Sequence, residues 1–179
     1  RPQMKDNPNV TFLSTEEMAK IFENVKEKAN PRMLNRDMCL LKLGFATGLR
    51  ISAIVQIDID DLDLKHNQIR ITEKGDHDDY VIIGDNLKAQ VELWLKDREE
   101  YFSDVNSNAL FVSQEKNRLS ARSVKDLMDK YTAGATDKKV TPHVMRHSCA
   151  TNLYEKTGDI YLCARQLHHK NVSTTQRYA

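Results

Sequence analysis

The chain has 179 residues, 40% of them hydrophobic and 30% charged, with a formal net charge of +1. That is the balance of a soluble globular domain with a full core. It excludes a membrane-spanning protein, because no apolar run approaches the roughly 18 residues a span needs, and no secretory signal pattern opens the chain.

Cys39, Cys149 and Cys163 have no CxxC spacing, and an odd, unclustered set suits a reducing cytosol better than a disulfide framework. A cytoplasmic protein is therefore expected. Charge is unevenly distributed. Residues 1–50 carry 9 basic and 6 acidic side chains, residues 51–115 carry 6 and 15, and residues 116–179 carry 12 and 5. The final third, with part of the first, is the surface expected to face a polyanion.

Residues 1–12 read as a linker, since Pro2, Asn7, Pro8 and Asn9 break any helix and no apolar period appears. Ser14 followed by Glu17 is a capping-box pattern, predicting a helix to about Lys28 with Met18, Ile21, Phe22 and Val25 on one face. A second helix is predicted from about Leu34 to Ala46, stopping near Gly48, and a short third one begins around Arg50. Alternation over Ile57–Leu64, Gln68–Thr72 and Tyr80–Ile83 predicts a small antiparallel sheet of three strands. Asp85 is the expected N-cap of a helix running to about Phe102, and Leu110-Phe111-Val112 reads as a short buried segment. Ser120 caps a helix carrying Val124, Leu127, Met128 and Tyr131. Helical patterns follow over Pro142–Thr157 and Asp159–His168, and a last helix near Ser173 carries Tyr178. The fold class is α+β, mainly helical, with residues 13–179 as one domain.

The residues with chemical potential cluster in three stretches: Thr47-Gly48-Leu49-Arg50, Thr141-Pro142-His143-Val144-Met145-Arg146-His147, and Leu167-His168-His169 leading to Arg177-Tyr178. Arginine keeps its charge and matches two phosphate oxygens with a planar fork. Arg50 and Arg146 together suit the charge that builds on a phosphodiester as its phosphorus becomes five-coordinate. His143 and Arg146, three apart at a helix start, emerge on one face. Tyrosine, with a pKa near ~10, is a poor nucleophile unless a base or strong positive charge assists it. His143, His147 and Cys149 lack the fourth ligand or the His-Glu-x-x-His pattern of a zinc site, so no metal is expected. His147 is expected to make a structural hydrogen bond near the site. Asp58, Asp60, Asp61 and Asp63 lack the glycine and closing glutamate of a calcium loop and read as the polar side of an edge strand.

In order and spacing these stretches resemble the tyrosine recombinase (phage integrase) family over roughly residues 12–179. The resemblance implies that Arg50 and Arg146 hold the scissile phosphate and that His143 and His169 bond its oxygens or assist proton transfer. Tyr178 is then the nucleophile, and Lys74, on the turn between strands, protonates the leaving 5′ oxygen. It implies no cofactor, double-stranded DNA as substrate, and other recombinase subunits as partners, as a tetramer on paired sites. Arg118, Arg122 and Lys125 match a helix that meets DNA in the family, with an ordinary solvated face as the alternative. Members usually carry a separate N-terminal DNA-binding domain, which this chain does not contain. Three positions depart from the pattern: Ala53 replaces an acidic residue, His168 replaces a glycine, and Asp76, Asp78 and Asp79 make the hairpin acidic. The expected activity is site-specific strand breakage and rejoining by an integrase of a mobile element or phage. Relaxation of the type IB topoisomerase kind, or a DNA-binding module with weakened catalysis, remain open.

Overall fold

A computed structural model describes residues 11–73 and 77–157, with side chains for all of these except 73, 77, 78 and 152–157. Helix α1 spans Thr15–Lys28 and starts at the reciprocal pair the sequence predicts. The Ser14 hydroxyl accepts from the Glu17 amide at 3.0 Å, and the Glu17 carboxylate accepts from the Ser14 amide at 2.9 Å. Ala29 turns extended and a single 3-10 turn, Pro31–Met33, leads into α2, Leu34–Thr47. Gly48 ends α2 in the left-handed region at φ 65°, and its amide donates to the Gly44 carbonyl at 2.8 Å. The short α3 covers Ile51–Val55.

The sheet follows, three antiparallel strands in the order β1 (Leu62–Asp63), β2 (Gln68–Glu73), β3 (His77–Ile82). Ile69 stands opposite Val81, and these two with Ile71 are buried, while Arg70, Tyr80 and Ile82 look outward. This is the period-2 division of a sheet with one covered face. The first strand is far shorter than the alternation over 57–64 predicts. Two 3-10 turns, Ile59–Asp61 and Leu64–His66, flank it because aspartates there bond local backbone. Asp61 accepts from the Asp58 amide at 2.9 Å and Asp63 from the His66 amide at 3.2 Å. The acidic run is therefore a set of turn braces rather than the polar side of a long strand.

Helix α4, Asp85–Phe102, begins one residue earlier than expected, with Gly84 as N-cap. It buries Leu87, Val91 and Trp94, and the Trp94 indole donates to the Leu110 carbonyl at 2.8 Å. Helix α5, Ala121–Thr132, is capped by Ser120, and α6 spans Pro142–Thr157. Helix α2 is the hub, touching α1, α4 and α6, while α5 packs on α1 and α3. Leu43, Ile21, Phe111, Trp94 and Tyr131 are at most 1% exposed and fill the centre. Burying each large apolar side chain of this kind contributes about 1.5–3 kcal/mol. No described helix is long and apolar enough to cross a membrane.

Candidate active site

Two of the three predicted stretches meet at one edge of the domain. The first is the turn after α2. The Thr47 hydroxyl donates to the Leu43 carbonyl at 2.7 Å and accepts from the Leu49 amide at 3.2 Å, locking the turn while Leu49 sinks into the core at 6% exposure. Arg50 follows as the N-cap residue of α3, its carbonyl accepting from the amides of Ala53 and Ile54 and its side chain exposed.

The second stretch is the start of α6. The Thr141 hydroxyl accepts from the Val144 amide at 3.2 Å and the Thr141 carbonyl from the Met145 amide at 2.9 Å. Proline at the first helical position costs nothing there, because its missing N–H has no partner in the helix. His143 is thereby exposed on the first turn, while Val144 and Met145 are buried and Arg146 is half-buried.

Glycines bring the two stretches together. A Cβ at Gly48 would lie 2.4 Å from both Cβ and Cδ of Arg146, so the aliphatic stem of Arg146 rests directly on the Gly48 backbone. A Cβ at Gly44, one turn earlier, would lie 2.6 Å from Cε of Met145. Side chains of α6 thus rest on glycine backbone at the end of α2 at two successive levels, and the guanidinium-bearing side chain of one motif is seated two residues from Arg50 of the other. A small, mostly apolar cavity of about 30 Å³ is lined by Leu49, Ile51, Pro142 and Met145 among others.

His147 is 6% exposed, and its ring lies nearly parallel to that of His143, with centroids 6.4 Å apart and planes at 4°. Burial, with the neighbouring His143, holds its pKa below the ordinary histidine value. The Phe12 ring stands edge-on to His147 at 5.4 Å. The expected linker boundary after residue 12 therefore falls within a segment already docked on α6.

Among the predicted DNA contacts, Arg118 is committed internally. It donates to the Val55 carbonyl at 2.8 Å and pairs with Asp58 at 2.5 Å, tying the end of α3 to the loop before α5. Arg122 is 86% exposed on α5, 3.8 Å from Asp126, and Lys125 is exposed on the same helix. Ala53 is partly buried and packs against the core from α3. Lys74, His169 and Tyr178 lie outside the described residues, as do His168 and the helices expected from Asp159 and Ser173.

The sequence does not single out Phe12, and it marks Gly48 as a helix stop and as part of the Thr47-Gly48-Leu49-Arg50 stretch. The signal for Gly48 was local, a Thr-Gly pair after an apolar helix, but its contact with a residue nearly a hundred positions later was not.

Against this geometry stand the similarities to known proteins. Residues 11–179 match the model of the phage integrase family. The chain is 36% identical over 174 residues to the tyrosine recombinase XerC of Psychromonas ingrahamii, covering 97% of this chain and 57% of that one. It is 32% identical over 177 residues to the tyrosine recombinase XerD of Oceanobacillus iheyensis, covering 97% and 59%. Its fold superposes on the crystal structure of XerA recombinase with a TM-score of 0.73 and 27% identity, covering 94% of this chain and 59% of that one. The Tn1549 transposon integrase, solved with circular intermediate DNA, shares the fold at a TM-score of 0.70 and 18% identity, covering 97% and 62%. The chain thus spans less than three fifths of the curated relatives' length.

Proposed function

The chain belongs to the phage integrase family, and on that footing we propose that it is the catalytic domain of a site-specific DNA recombinase that cuts and rejoins strands through Tyr178. One observation carries the reading most directly: the Arg146 stem seated on Gly48, two residues from Arg50, with His143 exposed on the same helix start. Two guanidinium forks and an imidazole at one edge are a receptacle for a phosphodiester.

In the proposed reaction the Tyr178 oxygen attacks phosphorus in line. The P–O5′ bond breaks as the P–O(Tyr) bond forms, leaving a 3′-phosphotyrosyl link and a 5′-hydroxyl. Lys74 delivers the proton to the departing 5′ oxygen. Arg50 and Arg146 neutralise the charge that grows on the non-bridging oxygens, a role for which loss of one donor costs about 10²–10³ in rate. His143 and His169 bond the same oxygens or take the tyrosine proton. A 5′-hydroxyl from another broken strand reverses the step, and one phosphoester replaces another each time, so no energy source is consumed.

The relatives are named as recombinases, and XerH was solved on its difH substrate before cleavage. Those names support double-stranded DNA as the substrate here. Assembly of four subunits on paired sites follows from the need to exchange strands between two duplexes. The integrase of a mobile element is the biological role we favour.

The test uses a duplex selected from a random pool for retention by the protein and nicked just 3′ of the cleavage position, so that the short fragment bearing the released 5′-hydroxyl diffuses away. A covalent protein–DNA adduct that disappears in Tyr178→Phe is expected. Tight binding without an adduct at any nick position identifies a binding module instead. Relaxation of supercoiled plasmid lacking paired sites, without recombination of paired ones, identifies a topoisomerase.

A further inference from the structure

Phe12 is 42% exposed, so more than half of its surface meets the rest of the protein. What it meets is the ring of His147, edge to face, with centroids 5.4 Å apart and planes at 81°. That is a preferred aromatic geometry. The backbone around Phe12 is fastened on both sides. Its carbonyl accepts from the Lys138 ammonium at 3.0 Å. The next amide, of the fully buried Leu13, donates at 2.7 Å to the Ser148 hydroxyl, which donates in turn to the Val144 carbonyl at 2.6 Å. His147 also faces His143, one helical turn away, with the two ring planes nearly parallel. His143 is exposed, so burial alone does not fix its rotamer, and the His147 ring is its aromatic neighbour.

We propose that Phe12 and His147 are positioning residues for His143, so that the segment leading into the domain fixes the orientation of the imidazole offered to the phosphate. Residues 12 and 13 sit at least 130 positions from His143, yet they grip the helix turn that carries it. A change in how the preceding chain is held is thereby felt at the reacting group. This inference rests on the proposed role of His143.

Its test measures single-turnover adduct formation on the nicked duplex by Phe12→Ala and Phe12→Tyr, each in wild-type and His143→Ala backgrounds. Misplacement of a reacting group costs rate steeply, so Phe12→Ala is expected to slow the adduct about tenfold while duplex affinity stays within about twofold. Phe12→Tyr keeps the ring and restores the rate. In the His143→Ala background, Phe12→Ala adds no further slowing, the non-additivity of residues acting through one another. Equal slowing in both backgrounds, or none in either, overturns the proposal. Imidazole proton–nitrogen spectra, read without DNA, give a second measure. Phe12→Ala is expected to move the His143 ring signals as well as those of His147, and an unmoved His143 ring overturns the proposal. Absence of an adduct in the wild type sinks the recombinase reading alone, with the ring spectra still deciding the positioning.

Discussion

At Gly48 the backbone itself is part of the site. Two separate constraints act on this residue: a left-handed φ of 65°, and the Arg146 stem where a Cβ would stand. The left-handed conformation alone costs an ordinary residue about 1–2 kcal/mol. The steric clash costs more, and is relieved only by moving Arg146. Gly134 separates the two effects, because its φ is 77° but nothing lies within 4 Å of an added Cβ. Both Gly48→Ala and Gly134→Ala are expected to lose about 1–2 kcal/mol of stability through the backbone. Gly48→Ala alone should lose adduct formation, by at least about tenfold, as expected when a transition-state donor is displaced. Urea unfolding beside the nicked-duplex assay checks the pair. Equal activity in the two variants would show that the Gly48 contact does not position Arg146.

Between elements, buried polar links decide which helices stay together. Asp37 of α2 is 2% exposed; its carboxylate accepts from the Tyr131 hydroxyl of α5 and from the Arg36 guanidinium at 2.9 Å. Arg36 also reaches the Val112 carbonyl at 2.9 Å, so one cluster joins two helices and the central loop. Burial, followed by the Asp37 carboxylate, pushes the Tyr131 phenol well above its ordinary value, so it stays a donor at all working pH. Tyr131→Phe leaves one oxygen of a buried carboxylate without its donor, and about 1–3 kcal/mol of stability is expected to go. A change below about 0.5 kcal/mol in urea unfolding, the size of an ordinary surface substitution, would mean the link carries nothing.

A second link closes the start of α1. The Glu17 carboxylate accepts from Lys138 at 2.8 Å, from the Ser14 amide at 2.9 Å and from the Thr136 hydroxyl at 2.6 Å. These donors, Lys138 foremost, hold its pKa at about 2, against 4.5 unperturbed. A carboxyl depressed on folding stabilises fully above its unfolded value, and that contribution fades as pH falls from 4.5 towards 2. Wild type should therefore lose stability across that window faster than Glu17→Gln does, as thermal unfolding at stepped pH would read. Parallel curves would remove Glu17 from the acid response.

These elements also show why some of the fold was legible and some was not. Ser14-x-x-Glu17, Ser120 and Thr141-Pro142 act on amides within three residues, so their helices start where the sequence places them. The alternation from Ile57 to Leu64 misleads because the aspartates that look like an outward strand face bond their own backbone instead. Arg118 likewise reads as surface charge until its partners, Asp58 and two carbonyls some sixty positions away, are brought to it by the fold. The stretches around Arg50 and Arg146 were legible through their resemblance to the family, and the fold brings those two stretches together. The Phe12–His147 and Gly48–Arg146 contacts were hidden because they are long-range and each involves one residue, Phe12 or Gly48, with no chemistry of its own.

Across the whole molecule, charge is divided so that the middle third is acidic and the last third basic. With Arg118 paired to Asp58, Arg122 and Lys125 on α5 are the more exposed of the three side chains proposed to meet phosphate. Each phosphate contact removed should lower the slope of log affinity against log salt by about 0.9. Arg122→Ala and Lys125→Ala are expected to do so without altering sequence preference, while Arg118→Ala should destabilise the fold instead. Binding titrations at several salt concentrations would read this, and unchanged slopes would move the DNA-facing surface off α5.

The account stands most directly on where the DNA becomes attached. Peptide mapping by mass spectrometry of the trapped adduct should find a nucleotide remnant on Tyr178, with yield collapsing in Arg50→Ala and Arg146→Ala. Attachment at any other residue, or undiminished yield without either guanidinium, would contradict it.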